Sequence, residues 1–303
     1  MLRLLVPAAL LGSLLAPAAA SACSVCGCGD PLVAAGDAMP VSGNFRVALE
    51  GEGLTATAAS DEDPTATESI VQYTLRPVVV YSLLGRLNLV LQIPVVRKDW
   101  ALSGAEPETH LDVGLGDLDL GGRFFFWQHT DLAAGRRQNA AVTAGTSLPT
   151  GPNDAQEGGA RIDDHAQLGT GSFGPYAGLL YAFHQDPWNA SVDVSGRFHT
   201  ANGYGYRYGP ALMWTARGTF RPWERLAFSV ALDGRMAGFD DLDGEQQVNT
   251  GGLVLAATPG VSVGITDGLW LHAQAQVPVY TALHGTQTVG PVFAVSLQYS
   301  FAT

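Results

Sequence analysis

Cysteine and lysine are nearly absent from this 303-residue chain. The three cysteines all lie between Cys23 and Cys28, and Lys98 is the single lysine. Because the rest of the chain has no cysteine, disulfide bonds cannot hold its fold together. Acidic residues outnumber basic ones by 28 to 16, which argues against a nucleic-acid partner, since binding a polyanion requires clustered Lys and Arg.

Long apolar runs are missing as well, except near the N-terminus. Arg3 precedes an apolar stretch that gives way to small residues ending at Ala22. This layout predicts a secretory signal peptide over residues 1–22. The alternative, a membrane-anchoring helix, requires about 20 uninterrupted apolar residues. The run here is shorter and is interrupted by Pro7, Gly12 and Pro17.

What the chain does contain is an alternation of apolar and polar residues with a period of two. In segment 293–301 the odd positions are Phe, Val, Leu, Tyr and Phe, and the even positions are Ala, Ser, Gln and Ser. Such a strand has one apolar and one polar face. Only 15% of the residues are charged, and 37 are glycine. We therefore predict an all-β fold, a closed antiparallel transmembrane β-barrel of about 12 strands over residues 43–303, in the bacterial outer membrane.

The connections between the predicted strands alternate in length. Short turns such as Leu84–Arg86 and Thr266–Gly268 alternate with a set of mostly longer loops such as Gly151–His165, and Thr130–Arg137 is the long exception among the turns. Barrels of this class have short periplasmic turns and long extracellular loops. The first predicted strand begins at Phe45 and the last ends at Phe301. The ten between them are 68–84, 86–101, 114–130, 137–150, 166–185, 189–201, 204–221, 225–238, 250–266 and 268–283.

The cost of placing charge in lipid assigns the two faces of each strand. A charged residue at mid-depth on the lipid face costs about 2–4 kcal/mol, so the charged face must point into the lumen. This lumen set either forms a salt-bridged lattice that stiffens a narrow barrel, or lines a polar pathway that selects permeants by charge. Aromatic residues near strand ends, among them Trp100, Tyr206 and Trp270, are interpreted as interfacial girdles. The predicted lumen residues are Arg46, Glu50, Glu52, Arg76, Asp117, Asp119, Arg123, Asp193, Arg197, Arg207, Arg217, Asp233 and Arg235.

Three glycine-rich motifs lie in the middle of the chain: Gly114-Leu-Gly-Asp-Leu-Asp-Leu120 followed by Arg123, Gly145-Thr-Ser-Leu-Pro-Thr-Gly151, and Leu168-Gly-Thr-Gly-Ser172. Their order resembles the outer-membrane transporter family associated with the meta-pathway of phenol degradation. The resemblance implies a barrel, in a family many of whose members have no known substrate. The cysteine-rich start is not part of that pattern.

The cysteine cluster has three interpretations. A disulfide with C-x-x-C spacing joins Cys23 and Cys26, or a lipid modifies Cys23 after cleavage behind Ala22, or the thiolates of Cys23, Cys26 and Cys28 bind a soft metal such as Cu(I) or Zn(II). In each case we expect residues 23–42 to form a Cys-rich segment at the periplasmic mouth, directly before the first strand.

Three functions are compatible with these features. The first is a channel or facilitator for small molecules, for example small aromatic compounds or metal ions, surrounded by outer-membrane lipid. The second is a barrel that binds a periplasmic protein partner through its Cys-rich segment. The third is a lipid hydrolase, for which Ser195 and His199 share a strand face. No complete nucleophile motif is present, so we predict that the chain is not an enzyme.

The predicted topology can be tested with protease-cleavable tags. A tag inserted after Asp63 or Asp243 should be cleaved on intact cells, because both positions fall in predicted extracellular loops. A tag after Gly85 or Asp267 should stay protected until the outer membrane is broken. The reverse pattern would overturn the orientation and the loop assignments together.

Overall fold

The computed structural model describes residues 44–60, 66–104 and 107–301. The predicted signal peptide, the Cys-rich segment with its candidate metal ligands Cys23, Cys26 and Cys28, and the loop residue Asp63 lie outside the described residues, so these features stay predictions. In the described ranges, no helix has the length and apolar character needed to cross a membrane.

Within those ranges the chain forms twenty strands. The first ten are β1 (Phe45–Ala59), β2 (Thr67–Leu83), β3 (Leu87–Gln92), β4 (Val95–Ser103), β5 (Glu108–Leu115), β6 (Leu118–Asp131), β7 (Arg136–Leu148), β8 (Gln156–Glu157), β9 (Ala160–Arg161) and β10 (Gly174–Gln185). The others are β11 (Trp188–Arg197), β12 (Tyr206–Arg207), β13 (Ala211–Trp223), β14 (Leu226–Ala237), β15 (Asp240–Leu242), β16 (Glu245–Gln247), β17 (Gly252–Thr266), β18 (Leu269–Leu283), β19 (Gln287–Val289) and β20 (Val292–Phe301).

Fifteen of these strands form one antiparallel sheet that closes on itself, because β1 pairs with both β2 and β20. Three pairs, β3 with β4, β5 with β6 and β19 with β20, each make one barrel strand interrupted by a short break. Counted in this way the barrel has twelve strands, which confirms the predicted fold. Pro94 and Pro291 lie in two of the breaks, where the missing N–H prevents a continuous ladder.

The two faces of the barrel wall differ in the way the alternation predicts. On β2, Tyr73 and Leu75 are 55% and 46% exposed, whereas their neighbours Thr74 and Arg76 are 4% and 7% exposed. The same alternation continues along β20, where Phe293, Val295, Leu297 and the following odd positions form the exposed face. The outer surface therefore carries a band of large apolar side chains that fits the hydrocarbon layer of a membrane.

The connections separate into two sets at opposite ends of the barrel. We call the end with residues 84–86, 132–135, 186–187, 224–225 and 267–268 the turn end, and the opposite end the loop end. The predicted long exception among the turns, Thr130–Arg137, is wrong, because β6 and β7 extend into it and pair up to Asp131 and Arg136.

Several predicted strand bounds are also wrong at the loop end. Segment 166–173 does not extend β10, and segments 198–201 and 204–210 do not belong to barrel strands. Residues 204–208 alternate in the manner of a strand, but Tyr206 and Arg207 pair with β15 in a separate three-stranded sheet with β16. The predicted strand-like alternation is therefore present at these residues, but they pair with β15 and not with a neighbouring barrel strand.

The interpretation of the aromatic residues as interfacial girdles requires side chains on the outer face, and only part of the set lies there. Tyr73, Trp188 and Trp223 lie exposed on the outer face. Trp100 is buried among inner residues, Tyr206 is buried beneath the loops, and Trp270 lines the lumen. Those three are wrong as girdle members. Trp100 and Trp270 lie at strand positions whose side chains point inward, and Tyr206 leaves the barrel wall to pair with β15 in the small sheet.

The face assignment can be tested at adjacent positions of β11. Val194 is exposed on the outer face, so Val194→Arg should lower the free energy of unfolding in lipid by about 2–4 kcal/mol, because it places a charge in hydrocarbon. Urea unfolding in phospholipid vesicles measures this difference. Val194→Leu is the matched control and should fold like the parent chain. Equal stability of the Arg and Leu variants would contradict the assignment.

Candidate functional site: the barrel lumen and its cap

One half of the lumen is filled by side chains. Arg123 and Phe125 of β6 are fully buried, and Phe125 packs against Ala141 and Leu180 of the next two strands. The Tyr176 ring occupies the space above Gly145, where any Cβ would lie 2.4 Å from the tyrosine hydroxyl. This half, built from β2, β3, β6, β7, β10 and β11, is a packed core rather than a pathway.

The other half of the lumen is open. A cavity of about 860 Å³ is bounded mainly by β1, β13, β14, β17, β18 and β20, and Arg76 of β2 and turn-end residues of β7, β10 and β11 also line it. It begins at the turn end, where Gly135 and Asp186 line it, and continues to Gly290. The open space exists because the central strands of this wall carry small inner residues, among them Ser229 and Gly260.

Ion pairs fix several charged side chains of the lumen. Arg76 lies 3.4 Å from Glu50 and 4.0 Å from Glu52. Arg197 and Asp119 are 3.3 Å apart, and Arg123 and Asp193 are 3.7 Å apart. Asp233 accepts hydrogen bonds from Thr215 at 2.7 Å and from Thr258. Ion pairs thus occur both in the filled half, at Arg123 and Asp193, and on the wall of the open cavity, at Arg76, Glu50 and Glu52.

The predicted lumen residues occupy three places. Asp119, Asp117 and Arg197 line a second, smaller cavity of about 210 Å³ toward the loop end. Arg123 and Asp193 lie in the filled half. Those on the large cavity are Arg46, Glu50, Glu52, Arg76, Arg217, Asp233 and Arg235.

The placement of Arg207 in the lumen is wrong. Its side chain is 56% exposed and lies 3.6 Å from Asp241 in the small sheet of the loop end. Sequence reasoning also missed members of the large cavity, including Arg137, Arg221 and Trp270. Arg221 lies four residues after Arg217 on β13, so both side chains point to the same face of the strand. Extending the predicted lumen face of this strand by four residues would have identified Arg221.

The two cavities share part of their lining. Leu54, Arg76, Met213 and Arg235 line both of them. Arg235 Nη1 lies 3.3 Å from the Met213 sulfur, which holds the guanidinium at this level. We call this shared boundary, which includes two arginines, the constriction.

Three loops, residues 149–173, 198–210 and 238–251, form a cap over the loop end. Residues 149–173 fold inward, and Ile162 and Ala166 pack against Ala58, Ile70 and Trp100 on the inner wall. Because these contacts are apolar and buried, the cap is part of the folded core rather than a loosely attached surface loop.

Polar contacts from the wall also hold the inward loop. Lys98 of β4 donates to the carbonyl oxygens of His165, at 2.8 Å, and Gln167. Asp117 accepts hydrogen bonds from the backbone N–H groups of Gly151 at 3.0 Å and Thr170 at 2.8 Å. The glycine-rich motifs of the sequence therefore meet in space, with Asp117 joining the other two.

Asp240 joins the three loops of the cap. One carboxylate oxygen lies 2.9 Å from His165 Nε2 and accepts a hydrogen bond from the Tyr206 hydroxyl at 2.7 Å, and the other accepts from Gly209 N at 2.7 Å. Burial would lower the pKa of His165, but the hydrogen bond to Asp240 and the charges of Asp240 and Asp163 raise it to about 9. Burial raises the pKa of Asp240, yet these donors hold it below its usual value. The cap is thus closed by a buried ion pair.

The geometry does not form the Ser–His pair that the hydrolase alternative used. His199 Nδ1 lies 3.2 Å from the hydroxyl of Ser172, and the hydroxyl of Ser195 is buried away from it. The serine that contacts His199 comes from the third glycine-rich motif.

The sequence matches no protein-family model and no curated protein. Among solved structures, an outer-membrane channel from Pseudomonas putida F1 superposes with a TM-score of 0.64 at 17% identity, covering 87% of this chain and 97% of that one. The translocator domain of the autotransporter NalP from Neisseria meningitidis gives 0.47 at 12% identity, covering 86% and 89%. The CymD monoaromatic hydrocarbon channel gives 0.39 at 9% identity, covering 87% and 90%. The first of these shows that the chain has the fold of an outer-membrane channel.

The role of Asp240 in closing the cap can be tested with Asp240→Asn. Removing the charge should speed hydrogen exchange of the amides in residues 149–173 by at least about tenfold, because a hydrogen bond to a charged group contributes about 1.5–3 kcal/mol. In the parent chain, the stabilisation from protonated His165 should be complete below about pH 6.5 and lost as the pH rises through about 9.

The matched control is Asp241→Asn, which removes the neighbouring carboxylate that pairs with exposed Arg207. Its exchange should follow that of the parent chain at every pH. Equal exchange in the two variants, or exchange in the parent that is independent of pH after correction for the intrinsic rate, would show that the ion pair does not hold the cap.

Proposed function

We propose that this chain is a channel of the bacterial outer membrane that passes small solutes through the open half of its lumen. The observation that carries the proposal is the cavity of about 860 Å³, which begins at the turn end and reaches the constriction. A barrel whose only task was to anchor or assemble would be more stable with both halves packed, since an unfilled interior forfeits van der Waals contacts.

The charge of the cavity wall favours anionic permeants. Six arginines and four carboxylates line it, in a chain whose net charge is −12. Arginine side chains in a partly desolvated channel lower the barrier for anions and raise it for cations. This wall argues against metal cations as cargo. The arginines are Arg46, Arg76, Arg137, Arg217, Arg221 and Arg235, and the acids are Glu50, Glu52, Asp186 and Asp233.

The cap gives this channel a closed state. Residues 149–173 lie in the mouth at the loop end, so solute entry from that side requires the loop to move. The contacts of Asp240 and Lys98 set the cost of that movement. Conduction should therefore be intermittent, with the open fraction governed by the cap and the selectivity governed by the constriction.

The resemblance to transporters of the phenol meta-pathway supports a finer proposal, that the permeant is a small aromatic compound. The three motifs that carry the resemblance meet at Asp117, which accepts hydrogen bonds from Gly151 and Thr170 of the cap. The Cys-rich segment supports a separate proposal for the turn end. Either Cys23, Cys26 and Cys28 bind copper or zinc there, or the segment binds a periplasmic protein partner.

Single-channel recording of the refolded protein in planar bilayers tests the proposed function. In a KCl gradient the reversal potential should show preference for chloride, and Arg235→Gln should reduce that preference because it removes a charge from the constriction. We expect the anion-to-cation permeability ratio to fall several-fold with only a small loss of stability.

Arg207→Gln is the control, since it removes an arginine outside the lumen. Its conductance and selectivity should equal those of the parent chain. A folded protein that never conducts, even in the Asp240→Asn background, would overturn the channel function. Equal effects of the two arginine variants would show instead that selectivity does not arise at the constriction.

A further inference from the structure

Two arginines on one wall of the large cavity have no acidic partner among the residues that the structure describes. Arg217 and Arg221 lie on the lumen face of β13. Among the described residues, no carboxylate oxygen lies within 4.0 Å of either guanidinium. Arg76, on the opposite side of the cavity, is instead held by both Glu50 and Glu52. The positive charge on the β13 wall is therefore available to a ligand.

Neutral groups of β18 orient both arginines. Arg217 Nη1 donates to the side-chain oxygen of Gln274 at 3.3 Å. The Arg221 guanidinium lies over the Trp270 ring, 5.5 Å from its centroid. Trp270 and Gln274 are four residues apart on β18, as Arg221 and Arg217 are on β13, so the two contacts repeat the same crossing at successive levels.

Small residues on the intervening strands make these crossings sterically feasible. The inner positions of β14 and β17 between the two arginines and their partners include Ala227, Ser229, Gly260 and Ser262. The arginine side chains therefore extend across the inner surface of β14 and β17 and do not pack between its side chains. A side chain that extends across a cavity and uses one donor leaves its remaining N–H groups facing the open space.

We infer that the wall formed by Arg217, Arg221, Trp270 and Gln274 is a binding subsite for the carboxylate of a small organic anion. The inference deepens the proposed function and rests on it. A planar guanidinium presents a fork of donors that matches the two oxygens of a carboxylate. Gln274 and Trp270 supply no negative charge, so they position the arginines without neutralising them.

The surroundings of this wall favour an organic anion over a bare inorganic one. The indole of Trp270 faces the same cavity and offers a flat apolar surface beside the guanidiniums. A carboxylate attached to a small flat body satisfies both surfaces at once. A chloride ion uses the charge alone, and should pass this wall without residence.

Isothermal titration of the detergent-refolded protein tests the subsite without requiring conduction. The probes are benzoate and benzamide, which have similar size and shape and differ in charge. Benzoate should bind saturably at one site, and benzamide should bind at least tenfold more weakly. The double variant Arg217→Gln/Arg221→Gln should weaken benzoate binding by at least tenfold, since glutamine keeps a polar side chain but removes the charge.

Arg207→Gln again serves as the matched control and should bind benzoate like the parent chain. If the double variant does not fold, as judged by the heat-modifiable mobility of the barrel, the single variants Arg217→Gln and Arg221→Gln provide the same comparison. Equal affinity for benzoate and benzamide, or unchanged binding in the folded arginine variants, would overturn the subsite. Intact binding in a protein that does not conduct would leave the subsite standing and overturn the channel.

Discussion

Closure of the sheet between β1 and β20 is the contact on which the remaining structure depends. In hydrocarbon no water can satisfy the N–H and C=O groups of an open sheet edge, so a spanning sheet must be closed. Here the pairing extends from Phe45 with Phe301 to Gly53 with Phe293. Once the sheet is closed, alternate side chains point into the lumen or toward the lipid. Every charged side chain that points inward then requires an ionic partner or a hydrated space.

The barrel solves that problem differently in its two halves. In the filled half, charges such as Arg123 and Asp193 are buried together, where removing either partner would leave the other uncompensated. In the open half, charges retain access to the cavity and can act on a solute. The same residue types therefore stabilise the fold on one side and line an open cavity on the other, and the size of the neighbouring side chains decides between these roles.

Much of this architecture could be predicted from the sequence because lipid imposes a simple rule on each strand. The alternation of side chains along a strand was enough to place Arg217 and Asp233 on the lumen face, where the structure has them. Parity failed at Arg207, because Tyr206 and Tyr208 alternate with it just as barrel residues would, but turn beneath the cap. The position of the cavity could not be predicted, since it depends on how small residues such as Ser229 and Gly260 face one another across strands distant in sequence.

The single lysine has a consequence for how this molecule can be observed. Lys98 is engaged by loop carbonyl groups while residues 149–173 fill the mouth of the barrel. No other side chain in the sequence carries a primary amine. An amine-selective acylating reagent thus has one side-chain target, and that target becomes reactive when the loop withdraws. The scarcity of lysine gives the protein an intrinsic chemical reporter of cap opening, without any engineered label.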